Sequence, residues 1–236
     1  MHEIVKAFLI SALLLTDMAT ARAGVVISGT RFIFPEGEKS ITFTVRNPSN
    51  TSWLIYPKIS RGGIWAGANE PEKEQREFIA SPQLFTLRPE RENSVRLLYT
   101  GGALPQDRET LFTLSVASIP SGKNATHSVQ TAIRSRFKLF YRPKYLPGNP
   151  EEAGLALLWA PTKTGVSVEN PTPYYVTLFN LKMNGIEIPE GGIVAPFSKR
   201  DIPGCLGAKS CLIGWQSIND YGRIMPARSQ LFEVTP

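Results

Sequence analysis

Histidine and cysteine are both scarce, with two of each in 236 residues. His2 falls in an N-terminal leader, and His127 sits in the polar stretch "SGKNATHSV". A lone histidine in a polar loop is ordinarily a solvated side chain, and a Ser-His-Asp set built around it would be arbitrary. Cys205 and Cys211 lack further ligands nearby, which excludes the usual clustered zinc sites. "GCLGAKS" has no lysine directly after its second glycine, so it is not a phosphate loop. No metal, nucleotide or other cofactor is expected, and no enzymatic activity.

Long hydrophobic runs are also missing. The one apolar stretch, Ala7 to Leu15, is too short to span a bilayer and is followed by small residues ending Ala21-Arg22-Ala23. That order predicts a secretory signal peptide over residues 1–23 and a soluble, exported mature chain. Its loss removes two bases and two acids, so the net charge of +6 is unchanged. Export also removes the opportunity for a basic chain to bind nucleic acid, and no such partner is expected. In an exported chain Cys205 and Cys211, in "PGCLGAKSC", read as a disulfide closing a short loop. Long amphipathic helices are absent too. The nearest candidate, "EPEKEQREF" (Glu70 to Phe78), has almost no apolar face and is expected to be a solvated loop or single turn.

What is present is a series of short runs with period 2. They include "SITFTVRN", "SWLIYPKI", "NSVRLLYTG", "TLFTLSVASIP", "LALLWAP", "TGVSVENP", "YYVTLFNLKMNG" and "SQLFEVTP". Runs of this length punctuated by Gly, Pro and Asn predict an all-β chain of sandwich domains. The length suits two domains. The segment "RPKYLPGNPEE", with Pro143, Pro147 and Pro150, reads as a short semi-rigid hinge, dividing the chain into residues 24–145 and 146–236.

"TAIRSRFKLFYRP", Thr131 to Pro143, is the most unusual of these strands. Ile133, Phe137, Leu139 and Tyr141 alternate with Arg134, Arg136, Lys138 and Arg142, and only Phe140 interrupts the basic series. The apolar set is expected to face the first domain's core, with Arg134 and Arg136 forming a solvated face. Tyr174 and Tyr175 are expected to serve packing rather than recognition.

"RSRFKLFYRP", "ENPTPYYVT", "INDYG" and "GTRFIFPEGEKSITFTVRN", in register along the mature chain, resemble the signatures of the periplasmic pilus chaperone family, in its short-loop subgroup. The resemblance implies two immunoglobulin-like β-sandwiches in a boomerang arrangement. It implies a periplasmic protein that captures pilus subunits by donor-strand complementation and delivers them, without ATP, to an outer-membrane usher. It assigns Val129, Thr131 and Ile133 to the subunit groove, with Thr131 smaller and more polar than the family's usual aliphatics. It places Arg31 and Lys138 on the subunit's terminal carboxylate, and Glu109, Arg142 and Asp220 in an ion-pair set between the domains. Strict alternation puts Lys138 on the face opposite Val129 and Ile133; a bulge or strong twist between them would reconcile the two roles, and the sequence shows none. A homodimer that caps its own edge is an alternative occupant of the donor strand. Rival classes are a pilus subunit or adhesin, which should begin with an alternating N-terminal extension, and a secreted Ig-like binding module, which should show an aromatic platform.

Overall fold

The computed structural model describes residues 24–65, 67–121, 131–189, 191–205 and 208–233. The predicted signal segment, His127 and Val129 lie outside them. The first domain comprises β1 (Val26–Ile27), β2 (Arg31–Pro35), β3 (Ser40–Asn47), β4 (Ser52–Trp65), β5 (Ala68–Lys73), β6 (Phe78–Ser81), β7 (Phe85–Leu87), β8 (Arg91–Tyr99), β9 (Thr110–Ser121) and β10 (Ile133–Arg142). One sheet is ordered β1-β3-β8-β6, the other β2-β10-β9-β4-β5 with β7 also on β4. Period-2 sequence becomes period-2 burial: in β3, Phe43, Val45 and Asn47 turn inward and Thr44 and Arg46 outward. Phe34, Ile55, Phe112, Leu114 and Leu139 meet them from the facing sheet.

A short 3-10 helix, Pro150–Leu155, leads into the second domain, its first turn capped by the Asn149 side chain accepting from Glu151 N–H at 3.0 Å. It takes up the start of the run "LALLWAP", so the strand begins later than its apolar pattern implied. There follow β11 (Leu158–Thr162), β12 (Gly165–Asn170), β13 (Val176–Met183), β14 (Ile186–Glu187), β15 (Ile193–Val194), β16 (Ser198–Pro203), β17 (Ser210–Ile218) and β18 (Arg228–Glu233). The sheets are β11-β12-β16 and β14-β13-β17-β18, with β15 also on β13. Trp159 and Trp215, ring centroids 5.1 Å apart, pack across this second core.

Each domain closes a corner with the same device. Asn47, buried before Pro48, donates to Thr51 O and Arg88 O while its Oδ1 accepts from Ser49 N–H and Oγ–H. Asn170, buried before Pro171, donates to Tyr174 O and Val194 O while its Oδ1 accepts from Thr172 N–H and Oγ1–H. A fully used amide side chain can be buried at little cost, which explains how two core asparagines are tolerated.

The charged run from Glu70 departs from expectation. Its first half belongs to β5, the return arm of a hairpin with β4, and not to a loop. The hairpin leaves the β9 ladder after Arg61, where the register shifts and Gly62 and Gly63 have φ of +73° and +139°. It arches over the outer face of the sheet. That cover explains why β9 is buried on both faces, Thr113 and Ser115 included.

Candidate functional site

β10 has a partly uncovered edge. β9 pairs with it from Ile133 to Tyr141, whereas β2 runs parallel to it only from Lys138 to Arg142. The cause lies upstream: β1 pairs with β3 in the opposite sheet, and the chain crosses between sheets at Ser28-Gly29-Thr30, Gly29 having φ +103°. Among the described residues the edge from Ile133 to Phe137 therefore has no neighbour in the β2 lane. Ile133 is 49% exposed, an apolar side chain at an open edge, and Thr131 lies just outside the strand, also exposed. The β10–β9 register runs without a shift from Ile133 to Tyr141, so no bulge reconciles the two faces there. Ile133 and Lys138 do occupy opposite faces.

Arg31 opens β2 and stands directly across from Lys138. Side chains opposite one another on adjacent strands share a face. One row therefore runs Arg31, Lys138, Thr113, Ser60 across β2, β10, β9 and β4. Arg31 donates from Nη1 to Ile218 O of the second domain at 2.8 Å, while its buried Nε has no hydrogen-bond partner among the described residues. Burial lowers the Arg31 pKa against the pull of Asp220 and Glu109. Burial, and then the Arg31 charge, bring the Lys138 ammonium down to about 8. Neither cation forms an ion pair among the described residues. Arg134 is exposed, as expected of an outer face, but Arg136 meets Glu72 of β5 at 3.1 Å.

One row further along, Phe140 explains the break in the basic series. It packs with Leu111 and Ile193 in a separate apolar seam, joined by Ile33, Trp65, Ala68 and Tyr175, and its ring lies 5.5 Å from that of Tyr175. Tyr175 and Ile193 come from the second domain, so the seam is interdomain. Beside it Arg142 donates to Glu109 Oε1 at 2.7 Å and, with two nitrogens, to Asp220 at 2.6 and 2.9 Å. Glu109 is buried, and its other oxygen accepts from the Tyr175 N–H at 2.7 Å. Burial raises the Glu109 pKa against Arg142 and that N–H, and the two carboxylates hold Arg142 charged in spite of its burial. Arg108 lies over the Phe197 ring at 4.9 Å, a further contact between domains that the sequence had not suggested. Cys205 and Cys211 are bonded, their Cα atoms 5.7 Å apart, clipping the segment between β16 and β17.

A surface of this kind offers backbone hydrogen bonds along one lane and two positive charges where the lane ends. Residues 24–147 match the N-terminal domain model of PapD, described as a pili and flagellar-assembly chaperone, and residues 152–229 match the PapD C-terminal domain model. The chain belongs to the PapD family of pilus-assembly chaperones. Among its relatives, the uncharacterized fimbrial chaperone YcbF of Escherichia coli K12 is 45% identical over 89% of this chain and 89% of its own. The periplasmic chaperone SfaE superposes with a TM-score of 0.73 at 32% identity, covering 87% of this chain and 98% of SfaE. A chain from the complex of the Salmonella enterica SafA pilin with the SafB chaperone gives 0.75 at 30% identity, covering 91% and 99%. The PapD family is a chaperone family, and its two domains are the two sandwiches described above.

Proposed function

We propose that the protein is a periplasmic chaperone that captures pilus subunits along the open edge of β10 and holds them by their terminal carboxylate. The observation that carries this is the lane beside Ile133–Phe137, which runs into Arg31 and Lys138. A strand entering the lane parallel to β10, in line with β2, brings its carboxyl end to the two cations. An antiparallel strand would bring its charged amino end there instead, which like-charge repulsion disfavours. A terminal carboxylate has a pKa of roughly 3.5 and stays ionised at neutral pH, and charge-assisted hydrogen bonds to it are short and strong.

The incoming backbone completes the β10 ladder, while Val129, Thr131 and Ile133 fill the subunit's groove, Ile133 from the face opposite Lys138. Groove and clamp can lie on opposite faces because the partner strand sits in the plane of the sheet, at the edge, reachable from both. Glu109, Arg142 and Asp220 hold the two domains around the clamp, and the segment "RPKYLPGNPEE", residues 142–152, acts as the hinge. Binding needs neither catalysis nor ATP. Residues 1–23 direct export, and transfer of the cargo to an outer-membrane usher completes the task.

Periplasmic co-expression with a pilus subunit tests the reading. Arg31→Ala and Lys138→Ala should each fold normally yet fail to yield the soluble one-to-one complex. Loss of one base from a partly desolvated carboxylate site costs about 2–5 kcal/mol. Parental yields of complex with both variants would overturn the clamp.

A further inference from the structure

We propose that Trp65 is a positioning residue of the carboxylate clamp, fixing the Lys138 ammonium beside Arg31; this rests on the clamp reading above. The Lys138 Nζ lies 4.3 Å from the centre of the Trp65 ring. The indole is itself fixed. Its Nε1–H donates to Thr113 Oγ1 at 3.0 Å, and the Thr113 hydroxyl donates to Gly62 O at 2.6 Å. Thr113 is the cross-strand partner of Lys138, so the ring is tied to the row that it covers. The tie requires glycine: a Cβ on Gly63 would overlap both Thr113 Oγ1 and the indole nitrogen.

A lysine side chain on a sheet face ordinarily swings its ammonium toward water, and here the Arg31 charge gives it a further reason to leave. The indole face opposes that escape. It attracts the cation through the ring quadrupole without neutralising it, so the charge remains available to an arriving carboxylate. An acidic partner in the same place would occupy the ammonium and compete with the subunit. The neighbouring cation shows that contrast, since Arg136 is paired with Glu72 of the same hairpin. The β4–β5 hairpin thus treats two cations of one strand differently: it neutralises Arg136 and presents Lys138. The cation pair is assembled before cargo arrives, and the ordering cost of a long side chain is removed from the binding step.

The test uses the mature protein and two probes: a short synthetic peptide of alternating valine and threonine with a free terminal carboxylate, and the same peptide as its terminal amide. The parent should prefer the acid. Trp65→Leu should reduce that preference about tenfold, leave amide affinity unchanged, and have no further effect in a Lys138→Met background. Trp65→Phe, which keeps a ring face, should retain most of the preference. If Trp65→Leu does not fold, Thr113→Val, which frees the indole N–H but leaves the ring, should lower the preference part-way. An unchanged preference in whichever of Trp65→Leu or Thr113→Val is measured overturns the proposal, as does equal weakening of acid and amide. A parent that binds both peptides equally overturns the clamp itself, a failure separable from that of Trp65.

Discussion

Burial and the Arg31 charge hold Lys138 near a pKa of about 8, and that value sets the pH range in which the clamp can work. The carboxylate needs the ammonium form. Capture should therefore be steady up to about neutral pH and weaken as pH rises through 8, with the bound carboxylate moving the midpoint upward. Lys138→Arg, charged throughout, should abolish the decline; affinity of both proteins measured from pH 6.5 to 9.5 checks this. Stability runs the other way. The fold disfavours a charged Lys138, so this group's contribution improves between about 8 and the unperturbed value of 10.5. Residue roles were unevenly legible. Arg31, Lys138, Arg142 and Asp220 fall within the quoted motifs and Glu109 was named with them by the resemblance, and the structure sets Arg31 across from Lys138 and Arg142 between Glu109 and Asp220. Trp65 carried no such mark, because its contact with Lys138 exists only through the turn at Gly62 and Gly63.

Alternation read the core strands well because most have one dry and one wet face. β5 escaped, since "ANEPEK" has no apolar stripe, and what makes it a strand is pairing with β4 and the reach of Glu72 to Ser60 and Arg136. The open edge of β10 was equally invisible. It depends on β1 and β2 belonging to different sheets, a crossing at Ser28-Gly29-Thr30 that the pattern of short runs does not disclose. The disulfide is an element-scale feature that spacing did reveal. Cys205→Ser with Cys211→Ser should destabilise the second domain by about 2–3 kcal/mol, the loop-closure entropy of a short ring. Denaturant melts of the oxidised parent and the double variant measure it.

The two sandwiches are joined by the Phe140–Tyr175 seam, by Arg142 between Glu109 and Asp220, and by Arg31 on Ile218 O. Glu109 is the member with most to lose, since both its oxygens are used and it is buried. Glu109→Ala strips Arg142 of one partner and orphans the Tyr175 N–H, a change costing about 3–5 kcal/mol when a buried pair is broken. Small-angle scattering should show a broader distribution of interdomain angles for this variant, and calorimetry should resolve two transitions where the parent has fewer. A profile identical to the parent's would show that the apolar seam suffices.

The lane beside β10 stops where β2 begins, because Arg31 and the strand behind it already fill the continuation. That makes the junction an end-stop as well as an attraction. On the proposed mode of capture, a polypeptide sliding along Ile133–Phe137 would advance only until its last residue abuts the chaperone's own chain, so the distance from the cargo's final strand to its terminus would be measured against a fixed ruler. A tail one residue too long would then buckle, and one too short would miss the cations. Tail length, independent of composition, would become a quantity that the molecule can read.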